Sequence, residues 1–183
     1  MNLWHDVPAT GKNLHLNVII EIPRGSKNKY EIDKETGLIK LDRAMKTSQD
    51  YPFDYGFVPQ TLWEDHDALD VVLLTTYPLA PGILVEVRPI GIMHMTDSGE
   101  GDDKIIAVPV RDLRWTHVKD ITDLQEHQCR EMKHFFETYK IIEDEKVTVH
   151  GFDGAAVALE AIEKSKKMYQ EEFPQSKKYD ARN

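Results

Sequence analysis

Short runs rich in β-branched residues recur along most of this chain, some alternating apolar with polar and some unbroken. Residues 16–22 (LNVIIEI), 29–33 (KYEID), 38–43, 71–75, 83–95, 104–110 and 146–150 (KVTVH) read as strands, bounded by Pro, Gly, Asp or Ser. Helical crossovers are missing between them, so the pattern predicts a closed or partly open barrel, not a parallel sheet. Helical spacing appears twice. A first helix is predicted over about 122–139, with Thr122 and Gln125 spaced as a capping box and Leu124, Met132, Phe136 and Tyr139 as its apolar stripe. A second covers about 155–172, with Leu159, Ile162 and Tyr169 inward and Pro174 after it. No repeat or linker divides the chain, so residues 1–174 are expected to form one domain, and the polar residues 175–183 a disordered tail.

Composition narrows the function more than the fold. With 183 residues, 40% apolar and 30% charged, the chain can bury a core without disulfides or a structural metal. A net charge of −9 argues against sequence-independent binding to nucleic acid or an anionic membrane, which needs a basic face. It leaves anionic small molecules open, because bound metal ions invert the sign of a site locally. Cys129 is the only cysteine, which rules out an intrachain disulfide and is compatible with a reducing compartment. The N-terminus lacks a basic segment followed by an apolar run, and no stretch approaches the roughly 18 apolar residues of a membrane span. A cytoplasmic protein is expected.

The chemistry concentrates in two acidic segments. In Glu64-Asp65-His66-Asp67-Ala68-Leu69-Asp70 three aspartates within six residues repel one another unless a cation is present, and hard divalent cations prefer such oxygen ligands. Asp97-Ser98-Gly99-Glu100-Gly101-Asp102-Asp103 forms a second acidic turn between strands. Either segment alone fits a solvated surface loop better than a site. An EF-hand starting at Asp65 requires Gly at its sixth position and Glu at its twelfth, where Asp70 and Thr76 stand. An aspartyl-nucleophile DxD is expected after an apolar strand, whereas here the apolar run follows. The eight histidines offer no convincing metal spacing. Strand alternation puts Lys29 and Glu31 on one face, and Glu21 interrupts an apolar strand, either at its end or facing a polar cavity.

These segments together resemble the family I soluble inorganic pyrophosphatases, particularly the short bacterial type. The resemblance rests on Lys29-Tyr30-Glu31-Ile32-Asp33, Tyr51-Pro52 with Tyr55-Gly56, Asp65-x-Asp67-x-x-Asp70-Val71, Met95-Thr96-Asp97, Lys104, and Phe135-Phe136-Glu137-x-Tyr139-Lys140. It implies an α+β fold, mainly β: a five-stranded OB-like closed barrel flanked by two main helices. It also implies hydrolysis of pyrophosphate with two to four Mg²⁺ ions per site, and a homohexamer. By resemblance, Asp65, Asp70 and Asp102 are metal ligands, Asp97 supports a further ion, and Glu21 and Glu31 are outer carboxylates. Asp67 is the general base. Lys29, Arg43, Tyr55, Lys104, Tyr139 and Lys140 bind phosphate, and Tyr51 lines the same cavity.

The sequence departs from that pattern where His66 and Ala68 replace the usual Gly and Pro, and where Ser98 replaces an acidic residue. Thr138 and Ile141 differ from polar residues often found at subunit contacts. Seven carboxylates (Glu21, Glu31, Asp65, Asp67, Asp70, Asp97, Asp102) against four cations (Lys29, Arg43, Lys104, Lys140) leave −3. Such a site opposes a polyanion until metals enter. Two competing readings are an OB-like module for single-stranded nucleic acid, which the acidic charge opposes, and an inactive barrel, which the retained Asp67, Lys29 and Tyr139 oppose.

Overall fold

The computed structural model describes residues 1–174. The expectation of a disordered tail therefore falls outside the described residues. Strand β1 (Leu16–Ile22) is buried along its whole length, because its neighbours cover both faces. It pairs antiparallel with β4 (Asp54–Phe57), and β4 with β5 (Asp70–Leu73). Strand β8 (Lys104–Pro109) lies parallel to β5 and antiparallel to β6 (Leu84–Asp97), which returns to β1. Five strands thus close into a ring, the OB-like arrangement expected. Its closure uses one parallel pair, made without a helix because the long β6 itself serves as the crossover.

The 14-residue β6 has partners along its whole length, since its outer half also pairs with β7 (Glu100–Gly101) and β9 (Val147–Gly154). A separate hairpin, β2 (Asn28–Ile32) with β3 (Ile39–Ala44), packs through β2 against β1. Ring closure is tight at Gly56, opposite Ile20: a Cβ there would lie 1.9 Å from the Ile19 carbonyl oxygen, so only glycine fits.

Helix α1 (Glu126–Thr138) buries Met132, Phe135 and Phe136, and the rings of Tyr51, Phe53 and Tyr55 pack against the two phenylalanines. It starts later than the capping-box reading of Thr122 and Gln125 implies. Residues Ile121–Asp123 form a 3-10 turn capped by Asp120, and the helix has its own reciprocal cap between Gln125 and Gln128. Helix α2 (Ala155–Glu172) buries Ala158, Ala161, Ile162, Ser165 and Tyr169. Leu159, expected inward, is 53% exposed, because the small residues Ala158 and Ala161 let the helix lie close on β6.

Candidate active site

The loop before β5 is drawn in by the wholly buried run Val71-Val72-Leu73 and pinned by its own backbone. Trp63 N–H donates to the Asp67 carbonyl (2.8 Å), and His66 N–H to the Trp63 carbonyl (3.0 Å). His66 has a φ of +62°, the left-handed conformation that Gly adopts without penalty. The departure at this position therefore strains the loop locally while the turn is kept. Asp65, Asp67 and Asp70 are carried on this turn, and Asp102 arrives from the link between β7 and β8.

Parallel register sets Asp70 opposite Lys104. The buried Lys104 Nζ donates to Asp70 Oδ2 (2.5 Å) and to Asp102 Oδ1, and the Tyr55 hydroxyl donates to Asp70 Oδ2 (2.6 Å). Across the cavity Lys140 Nζ donates to Asp97 Oδ2 (2.6 Å) and lies 3.0 Å from Glu145 Oε2. Lys29 pairs with Glu31, and the Glu21 carboxylate accepts from Ile32 N–H (2.7 Å). Glu21 is thus both next to last in β1 and turned towards a polar cavity.

Of the thirteen candidate residues, twelve line this one cavity, along with Tyr51. The exception is Arg43. It sits opposite Lys29 in the hairpin, bonds Asp42 and faces Glu143 Oε1 at 3.9 Å, outside the cavity lining. Sequence reasoning passed over Asp42, Glu143 and Lys34, which stands 3.4 Å from Asp67 Oδ1. These contacts are tertiary. The one local hint was the continuation of the charged motif from Asp33 into Lys34.

One oxygen each from Asp65, Asp70 and Asp102 lies within 4.8 Å of the others, and among the described residues no other such group of three forms. A Mg²⁺ ion takes oxygens at about 2.1 Å, so opposed ligands stand about 4.2 Å apart. The triad fits such an ion after small movements, and its hard oxygen donors suit it. The same crowding shows in the acid strengths. Burial, then repulsion from Asp70 and Asp102, pushes the Asp65 carboxyl up to about 7. Burial is also the leading cause that raises Asp67, Asp102 and, most strongly, the enclosed Glu21. Burial opposes the Lys104 ammonium, but Asp70 and Asp102 outweigh it and hold its pKa above the ordinary range.

A model of the inorganic pyrophosphatase family matches residues 18–170. The chain belongs to that family. The soluble inorganic pyrophosphatase of Zea mays is 47% identical over 179 residues, covering 94% of this chain and 81% of that protein. The inorganic pyrophosphatase of Leifsonia xyli subsp. xyli is 48% identical over 148 residues, covering 80% and 91%. The crystal structure of the inorganic pyrophosphatase from Thermus thermophilus matches with a TM-score of 0.87 and 44% identity, covering 92% of this chain and 99% of that one. The resemblance to family I pyrophosphatases read from the motifs is thus shown independently by sequence and by fold. A further departure, Ser98, occupies a tight turn with Gly99 (φ +53° and +96°) whose geometry joins β6 to β7. Its hydroxyl donates to Asp97 Oδ1 at 3.0 Å.

Proposed function

We propose that this chain hydrolyses inorganic pyrophosphate to two phosphates, with two to four Mg²⁺ ions bound at Asp65, Asp70 and Asp102 and supported by Asp97, Glu21 and Glu31. The observation that carries this reading is the carboxylate triad inside a cavity also lined by Lys29, Lys104 and Lys140. Bound there, Mg²⁺ would supply positive charge against the acidic wall and the substrate, and make water easier to deprotonate.

The chain's own groups do the rest. Asp67 accepts the proton of the attacking water. Lys29, Arg43, Lys104 and Lys140 offset negative charge on the phosphate oxygens, where most catalysis of phosphoryl transfer arises. The phenols of Tyr55 and Tyr139 are held well above their usual pKa, by burial first, so both stay protonated; Tyr139 donates to phosphate, and Tyr55 does so by exchanging its bond to Asp70. Arg43 reaches the substrate from the rim, through rotation away from Asp42.

Phosphate release is the direct test. Rapid release from pyrophosphate with Mg²⁺, and far slower release from ATP, is expected; no release from pyrophosphate would end the proposal. We place the enzyme in the cytoplasm as a homo-oligomer, with a hexamer favoured by the family resemblance. Among the described residues no helix is long and apolar enough to cross a membrane. Ile141 and Ile142, 59% and 66% exposed, offer apolar surface for a subunit contact, and a monomeric sedimentation mass would set the hexamer aside.

A further inference from the structure

We infer that Lys34 is a positioning residue for Asp67, joining the N-terminal segment to the acidic loop and fixing which carboxylate oxygen faces the reacting water. This inference rests on the reading of Asp67 as the proton acceptor. Lys34 lies just beyond β2, in a turn fixed by Asp33: Asp33 Oδ1 accepts from Thr36 N–H (2.8 Å) and the Thr36 hydroxyl (2.9 Å), and the Asp33 carbonyl accepts from Gly37 N–H (2.7 Å). From that anchored base the ammonium makes three contacts. It lies 3.4 Å from Asp67 Oδ1, donates to the His66 carbonyl at 3.2 Å, and sits 5.6 Å from the centroid of the Trp4 ring. Trp4 is itself buried, with its indole N–H donating to the Thr61 carbonyl at 2.8 Å.

An isolated pair this exposed (51% for Lys34, 49% for Asp67) would contribute little. Here the ammonium also holds the carbonyl of His66, the residue strained at positive φ, so it braces the turn where the backbone is under most strain. The two Asp67 oxygens then differ. Oδ1 accepts from Ala68 N–H (2.9 Å) and faces Lys34, whereas among the described residues Oδ2 carries no hydrogen bond. Oδ2 is therefore the oxygen left for water. With Lys34 gone, one of the two constraints on the carboxylate's rotation goes with it.

Steady-state hydrolysis of pyrophosphate by the full chain, with Lys34→Met and Lys34→Arg beside wild type, tests this. Lys34→Met is expected to lose about tenfold in kcat, since small misplacements of a catalytic group are expensive in rate. KM for pyrophosphate, the Mg²⁺ concentration for half-maximal activity and the melting temperature should stay near wild type, and Lys34→Arg should recover most of kcat. A Lys34→Met kcat within twofold of wild type overturns the inference. So does a loss confined to the Mg²⁺ requirement or the melting temperature, which would make Lys34 only a brace for the loop. Wild type inactive on pyrophosphate would instead remove the reaction itself, and this role with it.

Discussion

Asp67→Asn is expected to lower kcat by about 10²- to 10⁴-fold, the usual contribution of a positioned general base, while leaving Mg²⁺ activation and KM little changed. The substitution nearly preserves shape. An asparagine Oδ1 still accepts from Ala68 N–H and still faces Lys34, so the loop has no reason to move. What is lost is the capacity to take a proton. Asp67 also stands outside the triad of Asp65, Asp70 and Asp102, so the donors proposed for metal are intact. Burial raises Asp67 towards the range where a base is most effective at neutral pH, and Asp70 adds to the shift. Steady-state kinetics with Mg²⁺ titrated at saturating pyrophosphate separate the two effects. Turnover within tenfold of wild type would remove Asp67 from the base role, and a loss rescued by more Mg²⁺ would make it a metal ligand.

Strands were legible wherever β-branched residues form runs between Pro, Gly and acidic punctuation, as in β1 and β8. Strand β4 carries no such signal, because Asp54–Phe57 lies inside a Pro-bounded aromatic stretch whose strand character comes from pairing with β1 and β5. Hydrophobic spacing points Leu159 inward on α2, whereas close packing on a sheet favours Ala158, Ala161 and Ser165. The acidic loop is legible because six consecutive residues supply three of the candidate aspartates. Asp102 joins them only through the parallel register of β5 and β8, which no local pattern encodes. The setting of Arg43 was hidden for the same reason: its partner Glu143 is one hundred residues away in sequence. The motifs name the candidates, and the fold brings all of them but Arg43 to one cavity.

Removing divalent cations is expected to abolish turnover, Mg²⁺ to restore it, and the loss to leave a pH signature in stability. With every acid ionised the metal-free site sums to −3, which repels a polyanionic substrate; two Mg²⁺ bring that sum to about +1 and three to about +3. The carboxyls are raised by burial first, with repulsion between neighbouring carboxylates adding to it. Asp65, at about 7 when folded, has an ordinary value of 3.8 when unfolded. Between these values the folded state keeps a proton that the unfolded state has released, so metal-free stability falls as pH rises from about 4 to about 7. Asp67, Asp102 and Glu21 are raised and act in the same direction. The lowered carboxyls, among them Asp33 at about 2, add stability that is lost only as pH falls below about 4, outside this window. Mg²⁺ binds the deprotonated carboxylates, so its stabilisation must grow as theirs declines. Melting curves of EDTA-treated and Mg²⁺-loaded protein should therefore separate by a few degrees more at about pH 7.5 than at about pH 5.5. Equal separation at both pH values, or full activity after EDTA and dialysis, would mean that these carboxylates do not bind the ion on which the proposed chemistry depends.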